Sequence, residues 1–127
     1  MATGLENLKI YNMAKVLEMR VHEIAEFFPV DERYRSIDQL KRSSASVTNN
    51  VAEAYHKRTA KEKIHILRDV AICEAQETES NIARCADKKF LPQHAAQEII
   101  DGYVEFKKAT YGYIRFLRNQ PTNQLIN

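Results

Sequence analysis

Turn-forming residues are scarce in this chain. It carries three glycines and three prolines in 127 residues, and Pro29, Pro92 and Pro121 all fall near expected helix ends. A sheet protein of this length needs many more turn signals, so the composition argues against an all-β fold and leaves the middle of the chain without strong helix breakers. Cysteine is equally sparse. Cys73 and Cys85 stand twelve residues apart on one expected helix, roughly 18 Å along its axis and too far to pair within it. Two such thiols suit small hydrophobes in a reducing compartment, and a structural zinc site lacks its ligands. No apolar run approaches the length needed to cross a membrane, and the start, MATGLENLKIYNMAK, has no continuous apolar stretch. A cytoplasmic protein is the expectation. Neither sign of charge dominates, because the formal net charge is only +2. That field is milder than nucleic-acid modules usually carry.

What is present is helical periodicity. With 44% apolar and 28% charged residues, the chain can build a core and reads as one domain over residues 1–127. Met1 to Asn7 reads as a loose lead-in. Ile10, Ala14, Leu17, Val21, Ile24 and Phe28 then recur at helical spacing and predict a first helix over about 8–27, ended by Phe28-Pro29. Ser36 with Gln39 three residues on has a capping-box pattern and opens a second helix over about 37–57. Its apolar seam is Ile37, Leu40, Ser44, Val47, Val51 and Ala54/Tyr55. Thr59 with Glu62 repeats the signature and starts a third helix over about 60–87, with the seam Ile64, Leu67, Ala71, Ala75/Thr78 and Ile82. Pro92 fits the first turn of a fourth helix over about 92–118, interrupted by Gly102 and Gly112, which either mark close helix approach or lie on the surface. The tail from Asn119 reads as fraying. Four helices with short connections predict an all-α, antiparallel up-down-up-down four-helix bundle.

The residues offer little for catalysis. His22, His56, His65 and His94 stand on different segments without a Glu-x-x-His or His-x-x-x-His set. Glu74, Glu77 and Glu79 crowd one helix, whereas a di-metal bundle needs inward carboxylates from all four. Ser43, Ser44 and Ser46 lack a nucleophile elbow or a nearby histidine base, and no glycine-rich phosphate loop occurs. No enzyme activity, catalytic residue, metal or cofactor is expected.

Three surface features remain. Lys57, Arg58, Lys61, Lys63 and Arg68 surround the connection between the second and third helices, and Arg42 lies toward the other end of the second. They are candidate contacts to RNA or DNA, or an ordinary solvated face. Arg42, Ser46, Asn49 and Glu53 form a polar line that suits a network between subunits, a solvent-facing surface or a ligand contact. Ile66, Val70 and Cys73 form a second apolar line on the third helix, which predicts either contact with another subunit or an asymmetric shoulder of the core.

The run Gln39-Leu40-Lys41-Arg42-Ser43-Ser44-Ala45-Ser46-Val47, followed by Asn50-Val51-Ala52-Glu53 and Arg58, resembles the bacterial four-helix-bundle family first met in intervening sequences of 23S ribosomal RNA genes. That family typically shows Gln-Leu-Arg-Arg-Ala/Ser-x-x-Ser-Ile-Pro-x-Asn-Ile-Ala-Glu-Gly. The likeness reaches upstream to Phe28-Pro29 and Tyr34 and downstream through Glu62, Leu67, Ala71 and Glu77. Thr48 stands where the motif has proline, which restores a backbone donor, and Ala54 replaces its glycine. The resemblance implies a bundle that assembles with itself into a ring, most simply a homopentamer. It also implies a likeness to the accessory proteins of diversity-generating retroelements, pentameric barrels that associate with a reverse transcriptase and bind nucleic acid. It brings no catalytic residue. Two expectations follow: a homo-oligomer that contacts RNA or DNA weakly through basic residues, or a scaffold that addresses a partner protein.

Overall fold

The structure, a computed structural model, describes residues 4–121. The expected lead-in and fraying tail therefore fall partly, at residues 1–3 and 122–127, outside the described residues. Five helical segments make four rods: α1 (Lys9–Ala25), α2 (Asp38–Tyr55), α3 (Ala60–Ile66) running into α4 (Ile72–Asp87), and α5 (Gln93–Arg118). α1 packs on α2 and α5, and α4 packs on the same two. This is the all-α four-helix arrangement that the periodicity predicts.

The seams become the core. Ala14, Val21, Leu40, Val47, Val51, Leu67, Ala71, Ala75 and Ile82 are sealed from solvent together with Tyr103, Phe106 and Ile114 of α5. Small hydroxylated side chains sit among them. Thr78 of α4 donates to the Glu74 carbonyl at 2.9 Å, and its oxygen lies 2.7 Å from Ser43 Oγ of α2. Ser43 and Ser44 thus serve helix packing, their buried hydroxyls satisfied by Thr78 and by the Lys41 carbonyl. Thr48, at the motif's proline position, keeps α2 uninterrupted.

Helix ends follow local chemistry in some places and tertiary contacts in others. Thr59 Oγ1 accepts the Glu62 N–H at 3.1 Å while Glu62 Oε1 accepts the Thr59 N–H at 3.3 Å, the reciprocal box expected there. Ser36 does not cap α2. Its hydroxyl donates instead to buried Glu32 Oε1 at 2.8 Å, and the backbone kinks at Tyr34 and Arg35 before α2 begins at Asp38. A serine beside a buried carboxylate satisfies that carboxylate first, because an orphaned buried acceptor is the larger loss. Pro92 is the residue before the helix, with extended ψ, rather than part of its first turn.

The α4–α5 connection closes by a Schellman motif. Phe90 N–H reaches the Cys85 carbonyl at 3.0 Å and Lys89 N–H the Ala86 carbonyl at 2.9 Å. This geometry puts Lys89 at φ 68, in the left-handed region. Gly102 marks a close helix approach, since a Cβ there would run into Leu17 Cδ2 of α1, whereas a Cβ at Gly112 would meet only Arg115 Nη2, at an ordinary van der Waals distance of 3.7 Å.

One departure changes the reading of the third rod. Between α3 and α4, Leu67–Ala71 forms a π turn. The wider turn alters the phase of the helix, so Ile66 and Ile72 are both buried beside Leu67 and Ala71. Ile66, expected either at a contact with another subunit or on a shoulder of the core, is 8% exposed and packs in this chain's own core. Val70 is half-buried and Cys73 exposed.

Candidate interaction surfaces

The α2–α3 corner gathers most of the basic side chains singled out in the sequence, but many of their charges are engaged. Lys63 Nζ donates to the Tyr55 carbonyl at 2.7 Å and lies over the Tyr55 ring, 5.5 Å from its centroid. It thereby caps the last carbonyls of α2, and its partial burial pushes its pKa down. Lys57 faces Glu53 at 3.8 Å. Arg68 grips Asp69 through two bonds of 2.9 and 3.1 Å, and His65 Nδ1 adds a third contact to Asp69 at 2.8 Å. The Arg68 hydrogen bond holds the Asp69 carboxyl below its usual range and raises the guanidinium's own pKa. Arg58 and Lys61 are exposed and make no ion pair among the described residues. Arg42 is not part of this cluster. It pairs with Asp38 at 3.2 Å, about 22 Å along α2 from Lys57.

Beside the corner a groove of ≈ 640 Å³ opens between the start of α3 and the end of α5. Ala60, Ile64 and Leu117 form its floor, and Lys61, Arg68 and Arg118 stand on its sides.

The polar line on α2 is largely self-satisfied. Asn50 Nδ2 donates to Ser46 Oγ at 3.0 Å and to the Ser46 carbonyl at 2.8 Å, while Glu53 and Arg42 have the partners just given. Asn49 is exposed. Arg42, Ser43 and Ser46 border a smaller polar cleft of ≈ 280 Å³ with Glu74 and Glu77 of α4. Burial, reinforced by Glu77, raises the Glu74 pKa.

A surface that the seams did not announce lies on α1. Val16 and Met19 are 61% and 58% exposed. Val16 borders a shallow apolar depression of ≈ 480 Å³ with Met13 and Leu17 of α1 and Gly102 of α5. Met13, Val16 and Met19 recur at spacings of three, a second stripe beside the main seam of α1. That signal was legible, but the stronger period of Ile10, Ala14, Leu17 and Val21 masked it.

Among the described residues no group of three or more His, Cys, Asp or Glu side chains could hold a metal ion, and no helix is long and apolar enough to cross a membrane. Both cysteines are free thiols, Cys85 buried and Cys73 exposed. Burial pushes the Cys85 thiol pKa up.

Comparison with known proteins places this architecture. Residues 6–112 match the family described as 23S rRNA-intervening sequence protein. The chain belongs to that family. A crystal structure of a protein with unknown function from the S23 ribosomal protein family of Bacteroides thetaiotaomicron VPI-5482 superposes with a TM-score of 0.74 at 21% identity, over 83% of this chain and 97% of that one. At that identity the likeness concerns the fold. No curated protein matches the chain. Membership in the 23S rRNA-intervening sequence protein family covers the whole α2 motif, including Thr48 and Ala54, and reaches into α5.

Proposed function

We propose that this protein is a non-enzymatic cytoplasmic scaffold that acts by docking to other protein chains, copies of itself first. The observation that carries this is the α1 stripe, where Val16 and Met19 stand more than half exposed beside the depression formed with Gly102. An apolar stripe with a hollow beside it loses free energy to water unless covered, and a second helix face covers it most simply. The likeness of the α2 motif to ring-forming helical bundles adds the expectation of a homopentamer, and the likeness to retroelement accessory proteins adds that of a polymerase-type partner. Light scattering on a size column tests this reading. An oligomer is expected that the Val16→Glu/Met19→Glu double variant dissociates into folded monomers. A wild-type chain that stays monomeric at tens of micromolar would sink it.

A second reading keeps RNA or DNA as the partner, favoured by exposed Arg58 and Lys61, which have no ion pair among the described residues. Lys63 supports it least, because its ammonium already serves α2. Binding of a structured RNA that fades with added salt, and disappears in Arg58→Glu/Lys61→Glu, is its signature. Salt-independent or unaltered binding would count against it.

A further inference from the structure

We propose that the groove between the start of α3 and the end of α5 docks an acidic amphipathic helix of a partner protein. This inference rests on the scaffold reading and names a partner chemistry for a surface distinct from the α1 stripe.

The shape and chemistry of the groove lead there. Its floor is aliphatic, formed by Ala60, Ile64 and Leu117. Such a floor takes branched apolar side chains, and the one ring in the lining, His65, is held by Asp69 at 2.8 Å. Lys61 and Arg118 stand at the sides, exposed and without an ion pair among the described residues. The one acid in the lining, Glu62, is tied back to Thr59, its Oε1 accepting from both the backbone N–H and the hydroxyl. Arg68 is balanced by Asp69 through two hydrogen bonds. With Arg68 set against Asp69, the two cations Lys61 and Arg118 outnumber the Glu62 carboxylate, so the net charge of the groove is positive and sits at its margins, while its centre is apolar.

That pattern is complementary to a helix with leucine-like side chains along one stripe and carboxylates three or four residues to either side. A phosphate backbone would meet only two uncommitted cations here, and its bases only the His65 ring, which Asp69 holds. The marginal charges would select the partner and hasten encounter, while the aliphatic floor would supply the buried contact.

The probe is a fluorescent helical peptide of about 18 residues with leucines at i, i+4 and i+7 and flanking glutamates. Its controls are a glutamine-for-glutamate peptide and a single-stranded RNA. The glutamate peptide is expected to bind the wild-type chain and to shift the Ile64 and Leu117 methyl resonances. The Lys61→Glu/Arg118→Glu variant, with its thermal midpoint unchanged, should bind it at least about tenfold more weakly, as should the glutamine peptide bind the wild type. The Val16→Glu/Met19→Glu variant should bind the glutamate peptide as the wild type does. Loss of self-association in that variant with peptide binding retained separates the two surfaces. No peptide binding by a chain that still self-associates overturns this inference and leaves the scaffold reading standing. It is equally overturned by equal affinity for the glutamine peptide, by RNA competing at the same methyls, or by methyl shifts that follow self-association instead of peptide.

Discussion

Lys107 Nζ of α5 stands 2.6 Å from Glu79 Oε2 of α4, with the two side chains only 17% and 11% exposed. That oxygen accepts no hydrogen bond among the described residues, so the contact is ionic, and Lys107 also donates to Gln76 Oε1 at 2.7 Å. Removing one partner leaves the other charge buried without compensation. Lys107→Met should therefore destabilise the fold by about 3 kcal/mol, and the double variant with Glu79→Gln should recover most of the loss. Urea titration measures both. A loss in the double variant equal to the sum of the losses in Lys107→Met and Glu79→Gln alone would show that the pair is not coupled.

Tyr103 extends the same region. Its ring is sealed in the core, and its hydroxyl has no hydrogen-bond partner among the described residues. Burial, with Glu18 and Glu79 adding to it, raises the phenol's pKa far above the usual range. An unsatisfied buried hydroxyl weakens a fold, so Tyr103→Phe should be neutral or stabilising by up to about 1 kcal/mol. A clear loss in thermal stability would reveal a bound water or other partner for the hydroxyl.

The Schellman turn offers a stabilising change. Lys89 holds φ 68 with a side chain that disfavours it. Lys89→Gly relieves that strain at the expense of a more flexible unfolded chain, for a net gain of about 0.5–1 kcal/mol. The effect should appear as a higher urea midpoint with an unchanged slope. A drop in midpoint would mean that the lysine stem contributes packing that outweighs its backbone.

The two glycines of α5 should separate. A methyl at Gly112 meets nothing closer than Arg115 Nη2 at 3.7 Å, so Gly112→Ala should gain most of the helix-propensity difference, about 0.8 kcal/mol. Gly102→Ala must first move the Leu17 tip and should gain less or lose stability. Identical gains at both sites would refute the close approach of α1 and α5.

The capping box sets a pH response. Hydrogen bonds from the Thr59 backbone and then its hydroxyl hold the Glu62 carboxyl below the usual glutamate range. The folded state therefore binds this proton less readily than the unfolded one. Its contribution is complete above the unfolded value and is lost as pH falls through the lower folded one. Thr59→Ala should remove about 1 kcal/mol at neutral pH and move the Glu62 titration upward by NMR. A Glu62 titration midpoint that stays put in Thr59→Ala would contradict this account.

The sequence by itself determined the four rods, the seams through Val47, Val51, Leu67 and Ile82, and the Thr59–Glu62 box. Each of these depends on residues within a turn or two of one another, so spacing and local chemistry suffice. The tertiary structure alone decided that Ser36 serves Glu32, that the π turn draws Ile66 into the core, and that Lys63 is drawn to the end of α2. It alone opened the groove between Ala60 and Leu117 and brought Gly102 against Leu17. Those outcomes depend on which faces meet across the bundle. Residues far apart in the chain set them by competing for the same buried space and the same unpaired carbonyls.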